Sequence, residues 1–154
     1  MGIMRNFVKM YLLLWIGLLG HFGVYAQNLS GERRVYYLDA TYSMVLNNLW
    51  EPSKENLIEA IKNIEDVNTE IVVVIFADDR NPQKKIWKKW EEKATSSGKN
   101  LLIKNIQELD EPVKSSMTNL YDPLVNFYSQ TKPNKVNYMF LMTDGGHEQG
   151  GDFI

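Results

Sequence analysis

The stretch Ile71–Phe76, IVVVIF, is an unbroken apolar run. Successive side chains of a strand point to opposite faces, so a strand with one wet face alternates apolar and polar residues. An uninterrupted run instead specifies a strand covered on both faces, as in a parallel sheet under two layers of helix. Two other runs rich in Val, Tyr or Phe, Arg33–Leu38 (RRVYYL) and Val136–Met142 (VNYMFLM), also read as strands. Between them, Leu57, Ile58, Ile61 and Ile64 recur at helix spacing behind Pro52, a favoured first-turn residue. The pattern further predicts a helix over Pro82–Ala94, a shorter strand over Asn100–Ile106, and a helix from about Asn119 with Leu120, Leu124, Phe127 and Tyr128 on one side. The resulting β-α-β-α-β-α-β order predicts an α/β fold: a doubly wound, mostly parallel sheet with helices on both faces. Ligands of such sheets bind beyond the carboxyl ends of the strands, which directs attention to the residues just after Leu38, Phe76 and Met142.

The chain begins with a different kind of segment. Arg5 and Lys9 form a positive region, Met10–Gly20 is apolar, and Val24-Tyr25-Ala26 ends in the small-residue pattern of a signal-peptidase site, so residues 1–26 are expected to be a cleaved signal peptide. The apolar run is shorter than the roughly 20 residues needed to span a bilayer, so stable membrane insertion after cleavage is not expected. Residues 27–32 then read as a short linker and 33–154 as one domain. Without Arg5 and Lys9 the mature part carries 15 basic and 19 acidic residues, a net charge of −4 that does not suggest nucleic acid. The complete lack of cysteine excludes disulfides, a Cys-ligated zinc and a thiol nucleophile. A soluble secreted or periplasmic product is expected.

Chemistry concentrates at the strand ends. Asp39, Thr41 and Ser43 follow the first strand at every second position, and in an extended segment residues i, i+2 and i+4 project the same way. Thr143-Asp144-Gly145-Gly146 sets a second carboxylate after the last strand, and Thr118 offers a hydroxyl ahead of the last helix. Two carboxylates and three hydroxyls are hard oxygen donors suited to Mg²⁺, with Mn²⁺ or Ca²⁺ as substitutes. An ion left close to neutral and short of ligands can accept one more anionic oxygen from the Asp or Glu of a protein partner.

At these residues the sequence resembles the von Willebrand factor type A (vWA) family, whose metal-ion-dependent adhesion site reads Asp-x-Ser-x-Ser after the first strand, a Thr in a later loop, and an Asp in Thr-Asp-Gly after the fourth strand. DATYSM, MTNLYDPL and FLMTDGG follow that order and spacing, which assigns Asp39, Thr41, Ser43, Thr118 and Asp144 as metal ligands. Thr41 stands where the family usually has Ser. The resemblance implies a binding and adhesion module rather than an enzyme. It covers Arg33 to Asp152, whereas family members normally carry two more strands, so the domain is expected to be truncated after its fourth strand. The Val136–Met142 strand would then be an exposed apolar edge, a template for aggregation or for pairing with another chain.

Blander and rival readings apply to the same residues. Thr118 can serve simply as a helix N-cap. Asp78 and Asp79 suit a solvated loop, and His147 a plain loop position. Within the expected Pro82–Ala94 helix, Ile86, Trp87, Trp90 and Ala94 would form a buried stripe with the lysines solvated. Asp-x-Thr-x-Ser after a first parallel strand also resembles the nucleophile loop of haloacid-dehalogenase-like phosphotransferases, with Asp39 as the nucleophile and Lys104 as the nearest candidate for the required later lysine. A truncated fragment that binds nothing is the remaining alternative.

Overall fold

The computed structural model describes residues 29–79, 88–112, 116–117 and 119–145. The expected signal peptide, Thr118 and His147 lie outside the described residues. No helix among them is long and apolar enough to cross a membrane.

The fold is α/β, with a mixed four-stranded sheet. Strand β1 (Glu32–Asp39) is followed by a short helix α1 (Tyr42–Leu46) and a longer helix α2 (Trp50–Lys62). Then come β2 (Glu70–Phe76), the two-residue β3 (Asp78–Asp79), β4 (Lys88–Lys93) and α3 (Ser96–Gln107). The two-residue β5 (Ser116–Met117), α4 (Tyr121–Ser129) and β6 (Val136–Met142) complete the order. In the main sheet the strands lie β4-β2-β1-β6, and β3 pairs with β5 separately. Strand β1 is parallel to both its neighbours, with Val35 opposite Val72 on one side and Met139 on the other. Strand β4 runs antiparallel to β2, pairing Trp90 with Val73.

The IVVVIF run behaves as its pattern requires: every residue from Ile71 to Phe76 is buried. Alternate residues enter two apolar clusters. Ile71, Val73 and Ile75 join Tyr36 and Leu38 of β1 with Leu57 and Ile61 of α2 and Leu102 and Ile106 of α3. Val72, Val74 and Phe76 join Val35 and Tyr37, packed against Leu120 and Phe127 at α4. The Tyr37 hydroxyl donates to Asn126 Oδ1 of α4 at 2.8 Å, and burial raises its pKa to about 12.

Two expected elements take the other form. The expected Pro82–Ala94 helix is, from Lys88 to Lys93, a strand. Its residues favour a helix when read locally, but the open edge of β2 offers a hydrogen-bond ladder, and tertiary pairing overrides propensity. Trp90 reaches the α2–α3 cluster, while Lys89 and Glu91, on the opposite side of the pleat, meet Gln130, Arg33 and Lys132. The expected Asn100–Ile106 strand lies within α3. Leu102 and Ile106 are buried and Lys104 between them is exposed, a four-residue period that a strand does not give. The Thr95 hydroxyl caps this helix by accepting the Gly98 amide at 3.2 Å. Gly98 also fits a tight corner, since a Cβ there would collide with the Lys93 carbonyl oxygen.

A charged network ties the lower end of the sheet together. The buried Arg33 guanidinium donates to Glu70 at 3.1 Å and to Glu91 at 2.8 Å, and Lys132 and Lys135 approach Glu70 at 2.8 and 3.0 Å. Burial by itself would raise the Glu70 carboxyl, but hydrogen bonds from Lys132 and Lys135, with their charges, outweigh it and hold it at about 2 against an ordinary 4.5.

Two measurements test this account. In urea denaturation, Leu102→Ala costs about 2–5 kcal/mol while Leu101→Ala on the exposed side of α3 stays within about 0.5 kcal/mol. A lowered folded pKa stabilises above the unfolded value and loses that stability as pH falls through the folded one. Glu70→Gln is therefore expected to reduce stability at neutral pH and to flatten the loss that the unsubstituted chain shows between about pH 4.5 and 2, followed by circular dichroism.

Candidate metal centre

Strands β1 and β6 are parallel neighbours, so Asp39 and Thr143-Asp144 leave the sheet side by side at its carboxyl end. Asp39, the last residue of β1, is fully buried. One of its carboxylate oxygens accepts the Thr41 amide at 3.0 Å, and the other accepts the Thr143 hydroxyl at 2.8 Å. The Ala40 amide donates to the Phe76 carbonyl at 2.8 Å, which extends β1–β2 pairing one residue past the strand and fixes where Asp39 points.

Thr41 occupies the N-cap position of α1 with extended backbone, yet its side chain makes no capping hydrogen bond. Its hydroxyl lies 3.0 Å from the Ser43 hydroxyl instead. The alternation of Asp39, Thr41 and Ser43 thus does gather three oxygen-bearing groups, through a strand end and the first turn of a helix rather than through one extended segment. Asn48, with φ of 55°, turns the chain sharply between α1 and α2, a conformation that asparagine tolerates better than most residues. Beside it, Asn47 Nδ2 donates to Asp144 at 3.0 Å and ties the α1 end to the loop after β6. In that loop the Gly145 amide donates to the Thr143 hydroxyl at 3.1 Å, with Gly145 at φ of 77° where a side chain would be strained.

The structure therefore brings Asp39, Thr41, Ser43 and Asp144 to one end of the sheet; Thr118, the fifth candidate, lies outside the described residues. Two participants were not singled out as site residues from sequence. Thr143 was legible in principle, since its hydroxyl sits at the same strand end as Asp144, but Asn47 carries no local signal, because only the fold across 97 positions brings it to Asp144.

The electrostatics are those of two neighbouring carboxylates, one of them buried. Burial raises the Asp39 pKa above its ordinary 3.8; hydrogen bonds from Thr41 and Thr143 pull it down, and the negative charge of Asp144 pushes it up again. A carboxylate desolvated beside a second carboxylate gains from a nearby cation. Among the described residues no group of three or more His, Cys, Asp or Glu is arranged to hold a metal ion, so an ion here would rest on two carboxylates and on hydroxyls. A separate polar cleft of about 380 Å³ at the opposite end is lined by Gly31, Asp66, Glu70, Lys93 and Lys135. Its acids already have partners, Glu70 in the lysine network and Asp66 with the Asn68 amide at 2.9 Å, and it offers no comparable oxygen cluster.

No family model matches this sequence, and no curated protein matches it. Among solved structures, the chain is similar to proximal thread matrix protein 1 from the mussel byssus, with a TM-score of 0.57 and 19% identity over 79% of this chain. The chain spans about a third of that protein's length, 32%. At that identity the likeness concerns the fold.

A group whose folded pKa is raised stabilises only below its unfolded value, and that contribution disappears as pH rises through the folded value. Asp39→Asn, which keeps an acceptor for the Thr41 amide, is therefore expected to leave the chain folded in the presence of a chelator and to raise its Tm at neutral pH. The gain over the unsubstituted chain should vanish under acid conditions, and thermal melts across pH measure it.

Proposed function

We propose that this chain is a metal-dependent protein-binding module in which a divalent cation, Mg²⁺ or an equivalent Mn²⁺ or Ca²⁺, links the carboxyl end of the sheet to a carboxylate of a partner protein. Asp39, Thr41, Ser43 and Asp144, with Thr118, are the proposed ligands, and Thr143 and Asn47 orient the two carboxylates. The observation that carries this reading is the buried Asp39 carboxylate bracketed by the Thr41–Ser43 hydroxyl pair and, across the β1–β6 junction, by the Thr143-Asp144 loop. Hard oxygen donors of this mixture suit a cation that keeps part of its water and an open position. The apolar clusters on the two faces of the sheet support a doubly wound arrangement, and the motif order supports a vWA-like adhesion domain on an exported chain.

The phosphotransferase reading has less support. That chemistry needs a lysine close to the nucleophile at a later strand end. Lys104 sits on an exposed face of α3, 3.8 Å from Glu108.

Calorimetric titration with Mg²⁺ and Mn²⁺ tests the proposal. The unsubstituted chain should bind one ion, Asp39→Asn and Asp144→Asn should abolish the heat, and Thr143→Val, which removes an orienting hydrogen bond, should weaken affinity by about 10–100-fold. Identical titrations for the unsubstituted chain and Asp39→Asn would sink it, provided circular dichroism shows both folded.

A further inference from the structure

On the face of the sheet that α4 covers, β1 presents Val35 and Tyr37, and strand alternation puts Asp39 on the same face. Tyr37 is fully buried there, its ring edge to face with Phe76 at 6.5 Å. A phenylalanine would fill the same space. What the hydroxyl adds is direction: it donates to Asn126 Oδ1 of α4 at 2.8 Å. Gln130 Nε2 donates to the same oxygen, and Lys89 Nζ of β4 donates to Gln130 Oε1. One polar chain thus joins β1, α4 and β4. Leu120 and Phe127 also hold α4 to the sheet, but apolar contact is non-directional and a helix held by it alone can slide. A buried polar network whose members are satisfied specifies one arrangement.

The direction of α4 makes that arrangement matter to the metal site. Beyond its last residue, Ser129, Lys132 reaches Glu70, the first residue of β2, at 2.8 Å. The opposite end of the helix, with Asn119 and Leu120 ahead of it, therefore lies toward the carboxyl end of the sheet, where β1 ends in Asp39. Asn119 Oδ1 accepts the Tyr121 amide at 3.1 Å, which fastens Asn119 to the first turn. Thr118, one of the ligands proposed above, comes immediately before Asn119 in the sequence. At 1.5 Å per residue, Asn126 stands about 7.5 Å along the axis from Tyr121, so a shift at Asn126 is passed on to the helix start.

We propose that Tyr37 is a positioning residue for the metal site: its hydroxyl, through Asn126, fixes how far α4 extends toward Asp39 and so sets the segment that carries Thr118. The inference rests on the metal-site reading given above and adds to it a residue that touches no ligand atom. It accounts for a hydroxyl in a strand layer whose neighbours Val35, Val72, Val74 and Phe76 are apolar.

Calorimetric titration with Mn²⁺ of the unsubstituted chain, Tyr37→Phe, Asn126→Leu and the two combined tests it. Each single variant is expected to weaken Mn²⁺ binding about tenfold, the low end of the range for groups that orient metal ligands. The double variant is expected to lose no more than either, since both substitutions remove one contact. Asn126 is half-buried, so Asn126→Leu gives the same reading should Tyr37→Phe not fold. Ile106→Val, in α3 on the other face of the sheet, is the control for lost stability; its Tm is expected to fall with Mn²⁺ affinity unchanged. A readout without metal is amide hydrogen exchange in chelator, expected to quicken over residues 119–123 in Tyr37→Phe and not in Ile106→Val. Unchanged affinity in the folded single variants, losses that multiply in the double variant, equal weakening by Ile106→Val, or unchanged exchange would overturn this inference and leave the metal site standing. A chain that takes up no Mn²⁺, or takes it up equally as Asp39→Asn, overturns the metal reading and this inference with it.

Discussion

Parallel pairing of β1 with β2 on one side and β6 on the other is the constraint from which the remaining structure follows. Parallel strands cannot be joined by a tight turn, so the chain must leave the sheet after β1 and return, and the helices of that excursion cover the strands. Burial on both faces is then possible for β2, and IVVVIF is the composition that such burial requires. The same pairing carries every parallel strand to the same end, so the polar residues that follow β1 and β6 meet there.

Placing Asp39 at the end of a fully buried strand has a cost and a use. The carboxyl is desolvated and its pKa rises, with Asp144 adding to the effect. Thr41 and Thr143 offset part of that burden and leave the acid held in a single orientation. A group so placed is a poor surface solubiliser and a good fixed anion. The contrast with Glu70 is instructive: that acid, at the other end of the sheet, is answered by Arg33, Lys132 and Lys135, and serves to hold strands together.

What the sequence revealed and what it hid divide along physical lines. Strands β1, β2 and β6 were legible because apolar runs bounded by polar residues have few other solutions. That Asp39, Thr41, Ser43 and Asp144 meet at one end of the sheet was legible because strand ends are identifiable once strands are. Segment 88–93 was not, because KKWEEK has the charges of a helix surface and becomes a strand only through the edge of β2, a partner distant in sequence. Segment 96–107 was misread for a local reason: the β-branched and leucine-rich NLLIKNI obscured a spacing of four, although Thr95 ahead of Ser96-Ser97-Gly98 was a start signal in plain view. Asn47 belongs with β4, since its role depends on contact across the fold.

The two outer strands among the described residues are unequally charged, KKWEEK at β4 against the uncharged VNYMFLM at β6. A sheet with two bare margins can add neighbours at both, whereas KKWEEK lines one margin with two lysines, two glutamates and a last lysine, charges that obstruct pairing there. A further strand, of this chain or of another, would therefore find its place beside β6 rather than beside β4.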